Sequence, residues 1–323
     1  MLKIYMFKNA LKLILAAALL YWLISSGKLD LSLIQKSFHV GPQWIFAILL
    51  LLGQFALGTY RYKLLLETKS QKSLSYSTIF RINYIGVFFS SVLPGAVTGD
   101  LIKLLYINKL DENFTKSFLI TITLFDRIMG LISLLFLSAC FSLVYYSETH
   151  LLSPQLSHVI KLNLLLFGAA LVFLALLISP EKYQSLIYFL IEKIPFIGSK
   201  IAGLLKQFFS LREQKKDVLK CFLIGVGCHF MSIMAFWIVS SPFLTSALPF
   251  QYAFTFIPIG MIAMAIPISP GGLGVGHVLF ANLFSFVHID NGASLFNLFY
   301  LCNLTVNFLG VIPYVLIGRK KLD

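Results

Sequence analysis

The sequence predicts an all-α integral membrane protein, and three observations lead to that prediction. Hydrophobic residues make up 58% of the 323 residues and charged residues only 12%, whereas a soluble domain carries roughly 25% charged residues. Several apolar runs reach the length of ~18 residues that is typical of a helix crossing a bilayer. No long polar stretch is available to build a soluble domain. We therefore expect a single membrane domain over residues 1–323.

Six apolar runs are predicted to cross the membrane completely, and they cover residues 11–24, 44–60, 114–146, 162–178, 221–239 and 293–317. A further run, residues 79–93, stops at Pro94, and the LIKLLYIN segment that returns from it is too short to cross a hydrocarbon core of ~30 Å. A re-entrant hairpin explains both facts. Residues 252–266 and 274–287 flank Pro270, and they form either a second re-entrant hairpin or two full crossings.

A basic stretch, residues 181–216, joins the two approximate halves, residues 1–180 and 217–323. It contains amphipathic pieces such as YQSLIYFLIEKIPF and IAGLLKQFFSL. A basic amphipathic helix can lie in the membrane surface, and such helices can equally pack together in the cytoplasm. The pattern predicts helices here and leaves both arrangements open.

The net charge of +13 is explained by membrane topology. Lys and Arg accumulate on cytoplasmic loops because they are translocated poorly. If the N-terminus is cytoplasmic and both hairpins return to their starting side, only Lys28, Lys36 and Lys161 lie outside and Arg127 lies within the membrane. Every other Lys and Arg is then cytoplasmic. We therefore expect both termini in the cytoplasm and no nucleic-acid partner.

The sequence predicts no metal site and no cofactor. Cys140, Cys221, Cys228 and Cys302 all lie inside apolar runs, where cysteine is typical of a small core residue. The phosphate-binding motif GxxxxGK[ST] does not occur in the sequence, and direct use of ATP is therefore not expected.

Two Pro-Gly motifs, PGAVTGD and PGGLGVGH, interrupt apolar runs in the two halves. Pro removes a backbone donor and Gly relaxes the chain, so each motif breaks a helix. Irregular backbone at membrane depth is tolerated where it is buried in protein or lines a wet cavity, and paired interruptions point to a binding site. Ordinary kinks in spanning helices are the alternative. The candidate hairpin residues are Pro94, Gly95, Gly99, Pro270, Gly271, Gly272, Gly274 and Gly276.

Four charged residues follow the first motif inside apolar sequence, where a central charge costs about 2.5–3.5 kcal/mol. Asp100 and Lys103 are three residues apart and can pair on one helical face. Asp126 and Arg127 are adjacent and project about 100° apart on a helix, so they cannot simply face one another. One of them needs a partner elsewhere. Asp126 with Lys103, or Arg127 with Asp100, are the natural pairs. These residues either lock the hairpin in place or meet a lipid headgroup in a polar cavity.

Five further polar residues are candidates for the transport pathway. Arg61 and Arg81 lie nearer the cytoplasmic headgroup level, where they either anchor the interface or contact substrate. His277 follows the second motif and either helps an anion site at a helix N-terminus or forms a neutral hydrogen bond. Asn303 and Asn307, four residues apart on the last span, hold helices together or line a path, and we favour the first role.

Several segments together carry a family resemblance: RYKLLLE, FFSSVLPGAVTGDLIKLLYI, FDRIMGL and PISPGGLGVGH. They resemble the membrane domain of lysylphosphatidylglycerol synthases, which also occurs as stand-alone flippase-like proteins. The resemblance covers nearly the whole chain and implies translocation of a lipid without its synthesis, since these residues do not include the soluble aminoacyl-transfer domain. Two positions depart from the family pattern: His277 replaces an expected acid, and Lys103 replaces an expected Arg.

The leading hypothesis is a flippase that carries a phospholipid, an aminoacylated lipid or a polyprenyl-linked glycolipid across the inner cell membrane. The headgroup would pass through a polar cavity between the two hairpins, which would be arranged like an inverted repeat. A separate synthase is a candidate partner. The alternatives are a membrane-embedded lipid or glycolipid transferase and a scaffold for envelope-lipid enzymes. No cluster of carboxylates or histidines with ligand spacing favours the transferase, and we expect no enzymatic activity.

Overall fold

The computed structural model describes residues 41–93, 98–149, 152–179, 181–194, 198–210, 214–244, 248–264 and 275–316. Within these ranges the chain is helical and contains no strand, which confirms the all-α prediction. The predicted span at residues 11–24 lies outside the described residues. So do the turns of both Pro-Gly motifs, including Pro94, Gly95 and Pro270 with the glycines Gly271, Gly272 and Gly274.

The helices are named here in chain order. They are α1 (Pro42–Glu67), α2 (Tyr76–Val92), α3 (Thr98–Ile107), α4 (Lys116–Val144), α5 (Tyr146–Thr149), α6 (Pro154–Ile178), α7 (Glu181–Glu192), α8 (Gly198–Ser210), α9 (Lys215–Ser240), α10 (Phe250–Met264), α11 (Val275–Ser285), α12 (Gly292–Phe308) and α13 (Val311–Leu316). Five stretches are long and apolar enough to cross a membrane: α1, α4, α6, α9 with the turn after it, and α12 with α13. These match the five predicted full spans that lie within the described residues.

Two of the long helices, α4 and α6, begin after residues whose side chains satisfy free backbone donors of the first turn. The Thr115 hydroxyl accepts a hydrogen bond from the Phe118 amide at 3.2 Å, and the Ser153 hydroxyl accepts from the Gln155 amide at 3.1 Å. Pro42 and Pro154 occupy the first turn of α1 and α6, where a missing N–H costs nothing. The middle part of each long helix is apolar. Such a segment can lie in lipid because a helix satisfies its own backbone hydrogen-bonding groups.

Helices α2 and α3 form an antiparallel hairpin, named here the first hairpin. A Cβ atom added to Gly86 would lie 3.2 Å from the Lys103 Cβ, and one added to Gly99 would collide with Ser90 and with the Gly86 carbonyl oxygen. Ten residues of α3 span only about 15 Å. The loop after α3 then meets the loop before α2, where the Ser70 hydroxyl donates to Asp111 at 2.9 Å. Both ends of this hairpin therefore lie on one side of the molecule.

Helices α10 and α11 form a second hairpin with the same antiparallel arrangement. Gly260 faces the Phe280 ring, and the Phe256 and Phe284 ring centroids are 6.3 Å apart. Its ends also meet, because the Asn291 amide after α11 donates to the Phe243 carbonyl before α10 at 3.0 Å.

The two hairpins begin on opposite sides of the molecule. The Gln214 side chain, just before α9, donates to the Thr68 carbonyl at 3.4 Å, in the loop that precedes the first hairpin. Helix α9 then runs roughly 39 Å at 1.5 Å per residue. Near its far end the Trp237 indole donates to the Leu248 carbonyl at 3.1 Å, immediately before α10.

The amphipathic helices α7 and α8 pack on each other, and α8 also packs on α4. The Tyr188 and Phe209 ring centroids are 5.6 Å apart, and those of Phe125 and Phe208 are 5.7 Å apart. The Thr121 hydroxyl donates to the Gln207 side chain at 2.7 Å. These contacts show that the two helices pack together, and their place at the membrane surface or in the cytoplasm stays a prediction.

Candidate functional site

A polar cavity of about 280 Å³ lies among α1, α2, α3, α4 and α9. Three cationic side chains and two carboxylates line it, namely Arg61, Lys103, Arg127, Asp100 and Asp126. All five were predicted as site residues from the sequence. Charges of both signs inside apolar helices are costly, so their convergence marks this cavity as the candidate functional site.

Arg61 and Asp126 form a buried ion pair between α1 and α4. The Arg61 Nε atom lies 2.7 Å from Asp126 Oδ1, and only 9% of the Arg61 surface is exposed. A Cβ atom on Gly225 of α9 would lie 3.0 Å from an Arg61 Nη atom, and one on Gly130 of α4 would lie 3.5 Å away. The small residues on both neighbouring helices thus make room for the guanidinium. Arg61 belongs to the cavity and is not an interface anchor.

Asp100 binds two cations at once. The Lys103 Nζ atom lies 3.3 Å from Asp100 Oδ1, and the Arg127 guanidinium contacts Asp100 Oδ2 directly. The pairing of Lys103 and of Arg127 with Asp100 agrees with the expectations from spacing. Asp126, by contrast, pairs with Arg61 where Lys103 was the expected partner, because its carboxylate faces α1 while Arg127 faces α3.

Lys103 is buried against an aromatic ring as well as a carboxylate. Its Nζ atom lies 3.9 Å from the centroid of the Tyr62 ring, a cation–π distance. The Tyr62 hydroxyl shares a hydrogen bond of 2.9 Å with the Thr123 hydroxyl. One lysine thereby connects α3 to α1, and the tyrosine carries the connection on to α4.

Two residues that line the cavity each carry a buried amide oxygen that has no hydrogen-bond partner in the described part of the chain. The oxygens are Oδ1 of Asn83 and Oε1 of Gln54. Asn83 is 8% exposed, and its amide nitrogen donates to the Thr59 hydroxyl at 3.4 Å. A buried acceptor without a donor is unfavourable, and both oxygens are enclosed by the surrounding protein and are not open to the cavity.

The cavity reaches an exposed apolar face through Arg127. The Arg127 side chain is 47% exposed. It lies on α4 in line with three exposed aliphatic residues at helical spacing, Ile120, Leu124 and Leu131. The charged site therefore borders a surface suited to lipid tails.

Other predicted site residues lie elsewhere. Arg81 is exposed on α2 and does not line the cavity. The His277 ring packs against Phe296, 5.0 Å between centroids. The Asn303 amide donates within α12 to the Phe299 carbonyl at 3.1 Å. The Asn307 amide donates to the Ser91 hydroxyl of α2 at 2.9 Å, a link between helices.

The second hairpin contributes none of the described lining residues. We predicted a cavity between the two hairpins, but the lining comes from the first hairpin with α1, α4 and α9. The physical reason is packing: Gly276 of α11 is closed off by the Phe296 ring, so this hairpin is filled with aromatic side chains. The residues of its turn are outside the described ranges.

Sequence reasoning missed the neutral part of the site. Besides Gln54 and Asn83, the His229 ring lines the cavity and donates from Nε2 to the Gly130 carbonyl at 2.9 Å. A signal was present, because Gln54, Gly58 and Arg61 are spaced four and three residues apart on α1. Such spacing places polar and small residues on one helical face.

Spanning helices around a buried charged cavity define a polytopic membrane protein with a polar site inside its helical bundle. The family model described as the lysylphosphatidylglycerol synthase TM region matches residues 9–304. The chain therefore belongs to this family, which confirms the resemblance seen in the sequence and supports a role connected with membrane lipids. Comparison with curated proteins and comparison with solved structures each gave no match.

Proposed function

We propose that the protein is a lipid flippase in which the headgroup passes through the charged cavity while the acyl chains stay in the bilayer. The observation that supports this most is the continuity between the cavity and the apolar face at Arg127. A site for a soluble molecule has no need of such a border. A lipid, with one charged end and two apolar chains, needs both surfaces side by side.

The cations of the cavity suit a phosphate-bearing headgroup. Arg127 presents a planar guanidinium at the edge, and guanidinium groups bind phosphate in a bidentate manner. A headgroup arriving from lipid would meet Arg127 first and then the buried Lys103. Competition of phosphate with Asp100 for these cations gives a physical way to admit and release the headgroup.

The orientation belongs to the proposal as well. The charge distribution of the sequence favours cytoplasmic termini, and the first hairpin would then enter as a re-entrant element from the cytoplasmic side and the second from outside. Movement would follow a lipid gradient or be coupled to protons through Asp100 or Asp126. We propose no covalent chemistry at this site, since the charged groups are engaged with one another in ion pairs.

A vesicle assay tests the proposal. The purified chain is reconstituted into vesicles that contain a fluorescent anionic phospholipid, and a membrane-impermeant quencher is added outside. We expect quenching to exceed the outer-leaflet share that protein-free vesicles show. Asp100→Asn and Arg127→Gln should lower the rate at which the fluorescence of inner-leaflet lipid is quenched. Lys220→Gln replaces an exposed cation away from the cavity and serves as the matched control. Equal rates for Asp100→Ala and the unchanged chain would contradict the site assignment.

A further inference from the structure

We propose that the helix pair α7 and α8 lies in the headgroup region of the membrane and binds anionic lipids there. The surface concerned is separate from the charged cavity, and the proposal does not depend on the proposed function. Three features carry it. They are the depth at which the pair is held, an exposed apolar patch formed by Phe189 and Ile194, and a lysine that covers this patch.

Polar contacts hold the pair beside the ends of two spanning helices. The Gln184 side chain of α7 donates to the Leu177 carbonyl at 3.4 Å and to the Ser179 carbonyl at 3.0 Å, where α6 ends. The Gln207 side chain of α8 donates to the Ser117 hydroxyl at 2.9 Å, in the first turn of α4. Helix α6 has 25 residues and α4 has 29, and at 1.5 Å per residue each exceeds a hydrocarbon core of ~30 Å. Their ends therefore lie among the headgroups, and the helix pair lies there with them.

Aromatic contacts extend the pair towards the hydrocarbon. The Phe208 ring of α8 meets the Phe125 ring of α4, which is about 14 Å from the start of α4. On the same stretch of α4, Ile120 and Leu124 are exposed, and exposed apolar residues on a spanning helix are typical of contact with lipid. Helix α8 therefore reaches a depth at which its neighbour faces lipid. A helix pair placed wholly in the cytoplasm would not make this contact.

The apolar patch lies at a similar level. The Tyr188 and Phe209 ring centroids are 5.6 Å apart, so the end of α7 is held next to Phe209, the residue after Phe208. Phe189 follows Tyr188 and is 57% exposed, and Ile194 is 47% exposed. The apolar side chains of a basic amphipathic helix insert roughly 5–10 Å into the boundary between headgroups and acyl chains. The patch fits this boundary.

Lys193 lies over the patch and supplies the charge. Its Nζ atom is 4.1 Å from the centroid of the Phe189 ring, within the range of a cation–π contact. A lysine at a membrane boundary lays its apolar stem along hydrophobic surface and keeps its ammonium group among the headgroups. Residues 181–216 contain seven Lys and Arg against three Glu, and such an excess attracts anionic lipids. The occupant that fits the patch is therefore an anionic lipid surface, and an acidic protein is the alternative that the test distinguishes.

Fluorescence quenching on the full chain in vesicles tests the depth of the patch. Phe189→Cys is labelled with an environment-sensitive dye, and the protein is reconstituted with phosphatidylcholine and phosphatidylserine. Gln71→Cys, in the exposed loop before α2, carries the same dye as the matched control, and the unchanged chain gives the background from its native cysteines. Nitroxide groups on the upper acyl chain should quench the dye at position 189 about threefold more than the dye at position 71. Aqueous iodide should show the reverse order.

The preference for anionic lipid is measured with the same labelled protein. The nitroxide is carried either by phosphatidylserine or by phosphatidylcholine. At low salt we expect local enrichment of the phosphatidylserine probe by about fivefold, since one lysine near an anionic surface contributes on that order. Lys193→Gln should remove most of the preference, whereas Lys72→Gln, an exposed cation in the loop before α2, should keep it. Salt at ~1 M should weaken the preference, because the Debye length falls to ~3 Å.

Two results would overturn the proposal. The first is a dye at position 189 that iodide reaches as easily as at position 71 and that lipid nitroxides leave unquenched, which would favour a protein partner outside the bilayer. The second is equal quenching by the phosphatidylserine and phosphatidylcholine probes. Both labelled positions are exposed, so thermal unfolding of the labelled proteins should match that of the unchanged chain.

Discussion

The two hairpins are built alike and surrounded differently. Each consists of two short antiparallel helices with a Pro-Gly motif between them and a glycine where the helices meet. In the first hairpin Gly99 lies against the backbone of α2, and Asp100 and Lys103 beside it line a polar cavity. In the second, Gly276 lies against the Phe296 ring, and the neighbouring His277 also faces that ring.

The difference shows two physical solutions to one problem. Interrupted helices at membrane depth survive where they are buried in protein or line a wet cavity. The second hairpin is buried in protein, where the Phe280 ring of α11 lies 4.8 Å from the Phe236 ring of α9. The first hairpin instead lines the polar cavity. Among the described residues, paired helices flank both Pro-Gly motifs, and the side chains around the first pair form a polar cavity.

The largest expected effect is on the buried ion pair beside the first hairpin. Asp126→Asn leaves the Arg61 guanidinium buried without its carboxylate, and breaking a buried pair on one side costs about 3–5 kcal/mol. Thermal unfolding in detergent should show a large loss of stability. Asp217→Asn, which breaks an exposed pair with Lys220, should change stability far less, because exposed ion pairs contribute little.

The combined variant Arg61→Leu with Asp126→Leu is the companion measurement. It removes both charges, so its stability should exceed that of Asp126→Asn. If Asp126→Asn unfolds like the unchanged chain, the pair has no structural importance and the contrast between the two hairpins is weaker than described.

The glycines should differ in how their substitution can be rescued. Gly99→Ala places a Cβ atom against the Gly86 carbonyl oxygen, and overpacking of this kind costs about 1–3 kcal/mol. Gly276→Ala meets the Phe296 ring instead. Unfolding measurements should show that Phe296→Leu restores stability to the Gly276→Ala variant. Ser90→Ala should not restore stability to the Gly99→Ala variant, because the Gly86 carbonyl oxygen of the backbone would still collide with the new Cβ atom. Full rescue by Ser90→Ala would refute the close backbone contact.

Transport should depend on the first hairpin more than on the second. Lys103→Met removes a buried cation of the cavity, and we expect lipid movement in vesicles to fall by about tenfold, which corresponds to roughly 1.4 kcal/mol. His277→Met at the corresponding place in the second motif should change the rate by less than about twofold, because the ring packs on Phe296 and is not among the described residues that line the cavity. An equal loss in both variants would extend the site to the second hairpin.

The smallest expected effect concerns the contacts that close the hairpin ends. Asp111 accepts hydrogen bonds from the Asn113 amide and from Ser70, and these bonds lower the pKa of its carboxyl group. The bonds to the carboxylate therefore add stability above the unfolded pKa of about 3.9, and that stability is lost as pH falls through the lower folded value. The second hairpin is closed by the neutral amide of Asn291, which does not titrate.

Thermal unfolding of Asp111→Asn between neutral and strongly acid pH checks this difference. The variant should be less stable than the unchanged chain at neutral pH, and the gap should shrink only below about pH 4. Asn291→Ala should lower stability by an amount that does not vary with pH. A gap for Asp111→Asn that stays constant through acid pH would rule out the carboxylate as the closing group.

The sequence predicted the elements of the fold well and the site in part. Apolar runs gave the spanning helices, because length and composition alone decide whether a helix can cross a bilayer. The contact of Asp100 with Lys103 followed from helical spacing. The pairing of Arg61 with Asp126 joins residues 65 positions apart, and no local pattern determines how α1 packs on α4. The unlike surroundings of the two Pro-Gly motifs were likewise set by distant helices.

Arg61 fixes more than a charge. Its guanidinium extends from α1 between Gly130 of α4 and Gly225 of α9. One side chain therefore lies in the contact of three long helices. Because Asp126 belongs to α4, helices α1 and α4 cannot slide past each other without separating the Arg61 guanidinium from its carboxylate. A rearrangement that widens the cavity and keeps this ion pair would move another wall, such as the short α3, where Asp100 pairs with the half-exposed Arg127 of α4.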